Sequence, residues 1–257
     1  MEDLFSVKGK VVLITGGSRG IGLMMAKGFV KAGARVYISS RNAAKCQEVS
    51  AELSAVGTCM SIPADLSSEE GVKNLAVEFG LRETKLDVLI NNSGAAWGAP
   101  LVSFPQKGWD KILSLNLVSI FNLTKELLPQ LEQAGSTESP SRIINIGSIA
   151  AISTNSMEAY SYGTSKAAVH QLTRMLAKEL APKHITVNAI APGRFPSKMT
   201  EYVMADKKTY DAEVESIPLK RWGQPDDIAG LSIFLASHAG AFLTGNIIPL
   251  DGGTLIA

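Results

Sequence analysis

Tyr162 is the only one of the chain's five tyrosines that has a lysine, Lys166, four residues further on. On a helix, residues i and i+4 share a face, so the phenol and the ammonium group can approach each other. A free tyrosine titrates near pH ~10 and exchanges protons poorly at neutral pH. A lysine charge about 4 Å away, in an effective dielectric of about 20, is worth roughly 4 kcal/mol, up to about three pKa units. The expected direction is downward, giving a phenol that can protonate a carbonyl oxygen or take a proton from an alcohol. Tyr-x-x-x-Lys by itself is a weak motif, because the two residue types meet by chance on many helix surfaces. Ser148, which closes Ile144-Asn145-Ile146-Gly147-Ser148, adds a hydroxyl that can hold the reacting oxygen and stabilise charge there. Without the tyrosine it would read as a serine ending a strand at a turn.

A second constellation, Thr15-Gly16-Gly17-Ser18-Arg19-Gly20-Ile21-Gly22, follows an apolar run and precedes a helical stripe of Met24, Ala26 and Phe29. Strand, glycine turn and helix in that order suit a pyrophosphate: glycines let the backbone turn and approach, and the helix start offers free N–H groups. A βα turn that merely needs glycine is the plain alternative. The spacing G-x-x-x-G-x-G is neither the G-x-G-x-x-G dinucleotide fingerprint nor a Walker loop. After the second strand candidate, where an NAD site usually offers an acid to the ribose 2′-hydroxyl, stand Ser39, Ser40 and Arg41. Arg19 and Arg41 can converge on a 2′-phosphate, so the expected cofactor is NADP(H) rather than NAD(H). Two solvated surface arginines are the alternative.

These residues need a scaffold, and the pattern supplies one. Short β-branched runs at Val11 to Thr15, Arg35 to Ser39, Thr58 to Pro63, Asp87 to Asn91, Arg142 to Ile146, Ile185 to Ile190 and Asn246 to Leu250 alternate with helical segments. The expected fold is α/β: a single-domain Rossmann fold, with a seven-stranded parallel doubly wound sheet and helices on both faces. From Ser165 to Leu180, Val169, Leu172, Leu176 and Leu180 recur at three and four until Pro182 stops the turn. Residues 134–141 read as a loop. Periodicity blurs from Phe195 to Lys208, and a substrate lid is expected near 194–215 in a single 1–257 dinucleotide-binding and catalytic domain.

Composition narrows the function classes. The 257 residues carry 25 Lys+Arg against 24 Asp+Glu, a net charge of +1, which argues against nucleic acid or an anionic membrane as partner. Two cysteines, Cys46 and Cys59, make neither a metal knuckle nor a disulfide framework. His170, His184 and His238 are isolated from second ligands, so no catalytic metal is expected. No apolar run reaches membrane-spanning length, and the acidic start does not read as a signal peptide, which points to the cytoplasm.

Taken in order, the Thr15 to Gly22 turn, Asp65 in Ala64-Asp65-Leu66, Asn91-Asn92-Ser93-Gly94, Asn116 in Leu115-Asn116-Leu117, Ser148, Tyr162 with Lys166, Pro192-Gly193 and the closing Asp251-Gly252-Gly253 resemble the short-chain dehydrogenase/reductases over about Lys8 to Gly253. The resemblance implies a catalytic set of Asn116, Ser148, Tyr162 and Lys166, with Asn116 supporting a water in a proton relay. It implies cofactor contacts from Gly16, Ser18, Arg19, Gly20, Ile21, Gly22, Ser40, Arg41, Asp65, Leu66, Asn92, Ser93, Gly94, Tyr162, Lys166, Pro192, Gly193, Phe195 and Ser197, with Asp65 at the adenine. A turn, a strand-end cap and a helix-kink asparagine are the plain readings of Asp65, Asn92 and Asn116. Three departures stand out. Ser93 replaces the usual alanine, Tyr162 lies 14 positions after Ser148, one more than is commonest, and Ser197 takes the place of a threonine.

Within that family, Pro192 to Ser197, Ile144 to Ser148 and Arg221-Trp222-Gly223 resemble the bacterial NADPH-dependent β-ketoacyl reductases of the rhamnolipid-associated type. The implied reaction is reduction of a 3-oxoacyl thioester or β-ketoester, its acyl chain meeting Trp97, Tyr160, Phe195 and Met199. Each of those four also reads as an ordinary core filler. A basic rim of Arg194, Lys198, Lys207 and Lys208 suits a carrier-bound substrate or is simply solvated. A ketone, sugar or polyol oxidoreductase and a non-catalytic dinucleotide sensor stay open. The unusually apolar segment Asp226 to Ala241, with Phe242 beyond it, reads as a buried helix or as the homotetramer interface that the resemblance implies.

Overall fold

The computed structural model describes residues 2–154 and 158–257. Among them, Val11–Thr15 (β1), Arg35–Ser39 (β2), Thr58–Ser61 (β3), Val88–Asn91 (β4), Ser141–Ile146 (β5), Ile185–Pro192 (β6) and Ile247–Leu250 (β7) form one sheet. Every pairing is parallel, and the order is β3-β2-β1-β4-β5-β6-β7. The seven-stranded doubly wound reading holds. Expected strand ends differ by a residue or two, for local reasons. β3 stops at Ser61 ahead of Pro63, which has no N–H to donate, although Ile62 N still bonds Ile38 O at 2.9 Å. β6 runs on to Pro192 because Ala191 and Pro192 still pair with Pro249 and Leu250.

β1, β2, β4, β5 and β6 are almost wholly buried, so both faces of the sheet are covered, as their unbroken apolar runs require. Alternate side chains divide between two cores. Val12, Ile14, Val36, Ile38, Ile144 and Ile146 face Gly20–Lys31 (α1), Ala43–Ser54 (α2) and Pro225–Ala236 (α10). Val11, Leu13, Tyr37, Leu89, Ile143 and Val187 face Glu69–Gly80 (α3), Ser119–Glu126 (α5), Leu128–Ala134 (α6) and Tyr160–Leu180 (α7). Gln106–Leu113 (α4) joins α5 through a π-helical turn, Ser114–Val118.

α7 begins five residues before the expected Ser165, which puts both Tyr162 and Lys166 on it, and Pro182 falls in the single turn that ends it. The blurred segment after β6 contains two short helices, Glu201–Ala205 (α8) and Lys207–Ser216 (α9), over a small core of Val203, Ile217, Trp222, Tyr210 and Val214. α10 is largely packed: Ile228 and Leu235 are buried, and Leu231, Ile233 and Phe234 lie against the same core. Phe242, just beyond it, is fully exposed.

One element of this packing is polar. Arg142, on β5, is 1% exposed, and its guanidinium donates to the carbonyls of Leu235 (3.1 Å), Ser237 (3.1 Å) and Pro140. Burial pulls its pKa down to about 10, against a favourable field from Asp87, so it remains a cation at neutral pH. A cation at the carboxyl end of α10 satisfies carbonyls that the helix leaves open and opposes its dipole. A buried carbonyl left without a donor costs about 1–3 kcal/mol, so Arg142→Met is expected to destabilise the protein by about 3 kcal/mol. The check is a urea midpoint that falls at an unchanged m-value.

Candidate active site

The glycine turn hangs from β1 and is locked by its neighbours. Gly16 N and Gly17 N donate to Ser39 O at 2.7 and 3.2 Å, and Gly16 adopts φ +68°. Thr15 Oγ1 accepts from Asn92 N (2.9 Å) and Ser93 N (3.0 Å), while Asn92 Nδ2 donates to Thr15 O at 2.9 Å. A Cβ on Gly22 would stand 2.3 Å from Gly16 O, so only glycine lets the helix start press against the turn. The N-cap residue of α1, Arg19, makes no side-chain cap bond, which leaves the first-turn N–H groups free for an anion. A backbone cradle in front of an uncapped helix fits a pyrophosphate.

The turn opens into a cavity of about 920 Å³ along the carboxyl ends of the strands. Of the residues singled out from the sequence, Gly16, Ser18, Arg19, Gly20, Ile21, Ser40, Arg41, Leu66, Asn92, Ser93, Gly94, Ser148, Tyr162, Lys166, Pro192, Gly193, Phe195, Ser197 and Met199 line it. Gly22, Asp65, Trp97, Tyr160 and Asn116 do not. Gly22 supports the turn from behind. Asp65 Oδ1 accepts from Ser67 N (3.0 Å) and Ser67 Oγ (2.7 Å), and its neighbours Ala64 and Leu66 line that part of the wall.

At the chemical end, the Ser148 hydroxyl is within hydrogen-bonding reach of the Tyr162 phenol and accepts from Ala150 N at 3.1 Å. Lys166 is 4% exposed, sits 5.8 Å from the centre of the Tyr162 ring and donates to Ile146 O at 2.7 Å. The expected downward shift of Tyr162 is not found. Burial raises its pKa, and Ser148 and Arg194 only partly oppose that. The same burial pulls Lys166 down to about 8. Desolvation outweighs attraction because Lys166 is buried, Tyr162 is half-buried at the cavity wall, and the lysine is aimed at a carbonyl, not at the phenol oxygen.

Asn116 lies behind the wall, in the π-helical turn between α4 and α5. Its Oδ1 accepts from Ala95 N at 2.9 Å, and its Nδ2 donates to Ala95 O (2.9 Å) and Ser165 Oγ (3.0 Å). Ser165 Oγ in turn donates to Tyr162 O at 2.7 Å. The side chain thus ties the loop after β4 to α7 and is fully occupied in doing so.

The acyl-pocket expectation is half corrected. Trp97 packs beside Gly108, with Lys107 and Lys111 each 5.6 Å from its ring, and the Tyr160 ring lies edge-on to Phe104 at 5.6 Å. Both face the α4 side, because Tyr160 stands at the first position of α7 and Trp97 belongs to a loop that turns toward α4. Phe195 and Met199 do reach the cavity, although Phe195 is 3% exposed and its ring lies flat against Gly223. Ile149, Ala150, Ser153, Glu213, Ile217 and Thr254 are among the wall residues that were not singled out from the sequence. Thr254 follows Asp251-Gly252-Gly253, whose aspartate accepts from Gly253 N and Leu255 N (3.0 and 2.8 Å), so that motif was a signal for it. Lys45 joins Arg19 and Arg41 at the glycine-turn end, paired to Glu48 at 2.6 Å, whereas the two arginines are in no ion pair among the described residues.

Residues 16–254 match the family described as Enoyl-(Acyl carrier protein) reductase. The chain is 53% identical over 253 residues to the rhamnolipids biosynthesis 3-oxoacyl-(acyl-carrier-protein) reductase of Pseudomonas aeruginosa, covering 98% of itself and 99% of that relative. It is 36% identical to the 2-dehydro-3-deoxy-D-gluconate 5-dehydrogenase of Dickeya dadantii, over 98% of each chain. Among solved structures, the Pseudomonas aeruginosa RhlG/NADP active-site complex superposes with a TM-score of 0.97 at 52% identity, over 99% of this chain and 100% of that one.

The displaced lysine has a measurable consequence. Native Lys166 sheds its proton near pH 8, whereas in the unfolded chain it keeps it to about the ordinary value of 10.5. Between those limits the unfolded state binds more protons, so raising the pH favours the native state. Relative to Lys166→Met, wild-type stability is expected to rise on the order of 3 kcal/mol across this window. Below pH 8 the variant should be the more stable of the two, as read from thermal midpoints in the absence of cofactor.

Proposed function

The chain belongs to the short-chain dehydrogenase/reductase family, and from that premise we propose that it is an NADPH-dependent reductase of β-ketoacyl thioesters or β-ketoesters, yielding 3-hydroxy products. The observation that carries this reading is the convergence of Ser148, Tyr162 and Lys166 on one cavity whose other end is a glycine turn flanked by Arg19 and Arg41. The similarity to a 3-oxoacyl reductase over almost the entire length supports the substrate class.

The Gly16 to Gly22 turn and the start of α1 would hold the pyrophosphate, with Arg19, Ser40 and Arg41 at the 2′-phosphate and Leu66 beside the adenine. Asn92, Ser93, Gly94, Pro192, Gly193 and Ser197 would flank the nicotinamide half, with Lys166 at its ribose. When bound, NADPH supplies the hydride that the carbonyl carbon accepts. The chain's own residues handle the oxygen. Ser148 Oγ accepts from Ala150 N, which orients it, and its one proton, directed at the Tyr162 phenol in this structure, would turn to the substrate oxygen. Tyr162 is the general acid, and the burial that raises its pKa keeps the phenol protonated at neutral pH, as reduction requires. Asn116 keeps α7 and the loop after β4 in place behind this pair.

Residues 194–216 form the substrate lid in this reading, with Met199, Ile149 and Ile217 offering an apolar wall to the acyl chain. The anticipated basic rim is offset: this segment carries four cations and five acids. Lys207 pairs with Asp211 at 2.6 Å and Arg194 with Glu213 at 2.9 Å, which favours a small thioester over long-range attraction of an acidic carrier. No helix among the described residues is long and apolar enough to cross a membrane, and we place the enzyme in the cytoplasm. A homotetramer built on α10, β7 and the long central helices would cover the exposed Phe242, Phe121 and Met175.

The test is loss of nicotinamide absorbance with β-ketoacyl thioesters and β-ketoesters beside simple ketones and keto-sugars, each with NADPH and NADH. β-Keto compounds with NADPH are expected to lead, and turnover confined to sugars would move the substrate class to that of the gluconate dehydrogenases. Tyr162→Phe should abolish turnover while retaining NADPH binding. Arg41→Ala should raise the KM for NADPH about tenfold and leave that for NADH unchanged, since a charge-assisted bond is lost only with the phosphate present. Light scattering is expected to give four chains per particle, and a monomer would remove the tetramer.

A further inference from the structure

α7 is fastened to the carboxyl end of β5 along one face. Thr173 Oγ1 accepts from Asn145 Nδ2 at 3.0 Å, Lys166 Nζ donates to Ile146 O at 2.7 Å, and the Tyr162 phenol lies within hydrogen-bonding reach of the Ser148 hydroxyl. Positions 162, 166, 170 and 173 are spaced by four and three, so His170 shares that face. It is 5% exposed and packs on Gly147, the residue before Ser148. The contact is close. A Cβ on Gly147 would stand 2.2 Å from His170 Nε2, 2.7 Å from its Cδ2 and 3.2 Å from Ile190 O. Gly147 N donates to that same Ile190 carbonyl at 2.7 Å. The glycine is thus held between the neighbouring strand and the imidazole. Its backbone is not left-handed, so what demands glycine here is space, not conformation.

The reaction makes no use of His170 as an acid or base. Burial pulls its pKa down to about 4, so the ring is neutral at neutral pH. Its Nε2 is buried and, among the described residues, has no hydrogen-bond partner. A leucine would fill such a place without leaving a polar atom unsatisfied, so the imidazole calls for a reason. Shape supplies one. With its proton on Nδ1, the ring presents to Gly147 a nitrogen that carries no hydrogen, and the glycine backbone can come closer to it than to a methyl group or a ring C–H.

We propose that His170 is a positioning residue: through Gly147, its ring sets the height at which β5 delivers Ser148 to Tyr162. This rests on the reading of Ser148 as the residue that holds the substrate oxygen. The bonds of Lys166 and Thr173 fix the helix against Ile146 and Asn145, but neither reaches the last step of the strand. His170 supports that step from below. Without the ring, a void opens under Gly147 and the strand end can settle into it. A hydroxyl displaced in this way no longer meets the carbonyl oxygen that it must share with Tyr162.

The test uses whichever carbonyl compound the enzyme reduces fastest, so the substrate class does not enter. His170→Ala is expected to lower kcat about tenfold, since small misplacements at a reacting centre are costly. The KM of the carbonyl compound, and the Kd of NADPH from fluorescence titration, should stay within about twofold of the parent. His170→Gln, whose amide reaches the same place, should recover most of kcat. Gly147→Ala drives a methyl group into the ring and should be slow as well. Gly147→Ala combined with His170→Ala, where the methyl takes up the vacated space, should be faster than either single variant. Ser148→Ala separates this role from the reading beneath it. If Ser148→Ala lowers kcat and adding His170→Ala costs less than about a further twofold, His170 acts through Ser148. If Ser148→Ala is slow but His170→Ala keeps the parental kcat, or costs its full factor on top of Ser148→Ala, the ring is a core filler and the proposal is overturned. Parental kcat in Ser148→Ala would remove the reading of Ser148 and the positioning role with it. If His170→Ala does not fold, the paired variant decides: a kcat above that of Gly147→Ala supports the proposal, and any other result overturns it.

Discussion

Everything in this molecule depends on the reversal of winding at β1. β2 and β4 flank that strand, and their connecting helices leave toward opposite faces, so the carboxyl ends of the strands part to leave a crevice. Gly16 follows β1, Ser40 and Arg41 follow β2, Asn92 follows β4, Ser148 follows β5 and Gly193 follows β6. Parallel strands put all these ends on one side. Residues scattered over most of the chain therefore share one cavity without any long loop having to reach for it.

The second requirement is that α7 stay in register with β5. Lys166 must reach Ile146 O while Tyr162 stays beside Ser148, and a helix packed on a sheet can slide or roll unless polar contacts forbid it. A buried ladder does so: Asn91 Nδ2 donates to Asn145 Oδ1 (2.9 Å), Asn145 Nδ2 to Thr173 Oγ1 (3.0 Å), and Thr173 Oγ1 to Val169 O (2.8 Å). Asn116 adds a brace through Ser165. Buried amides in an apolar core are tolerable only when fully bonded, which makes the ladder directional and specific where methyl groups would be neither. Lys166 has a single bond of this kind, to Ile146 O, and desolvation disfavours its charge.

Much of this was legible beforehand. All seven strands stand within two residues of their apolar runs, because a strand buried on both faces must be apolar throughout, and such runs contrast with helical spacing. The glycine turn was legible because left-handed backbone and close approach demand glycine at Gly16 and Gly22. Trp97 and Tyr160 were misjudged as pocket residues because an aromatic side chain suits a core, a helix contact or a substrate wall equally well. The two helices after β6 were invisible as such: α8 is five residues long, and what holds the pair down is a small core reached through Ile217 and Trp222.

The sequence by itself determined the sheet and the glycine turn, both of which follow from residue type at local spacing. Only the tertiary structure decided the electrostatic state of the site. Whether Lys166 pulls Tyr162 down or burial pushes it up depends on how much water is excluded and where each polar atom points, and neither is encoded in an i, i+4 interval. The same holds for Arg194 and Glu213, 19 residues apart, and for Arg142, which caps a helix that begins more than 80 residues later. Charges interact through space, and the distances that set their strength exist only once the chain has folded.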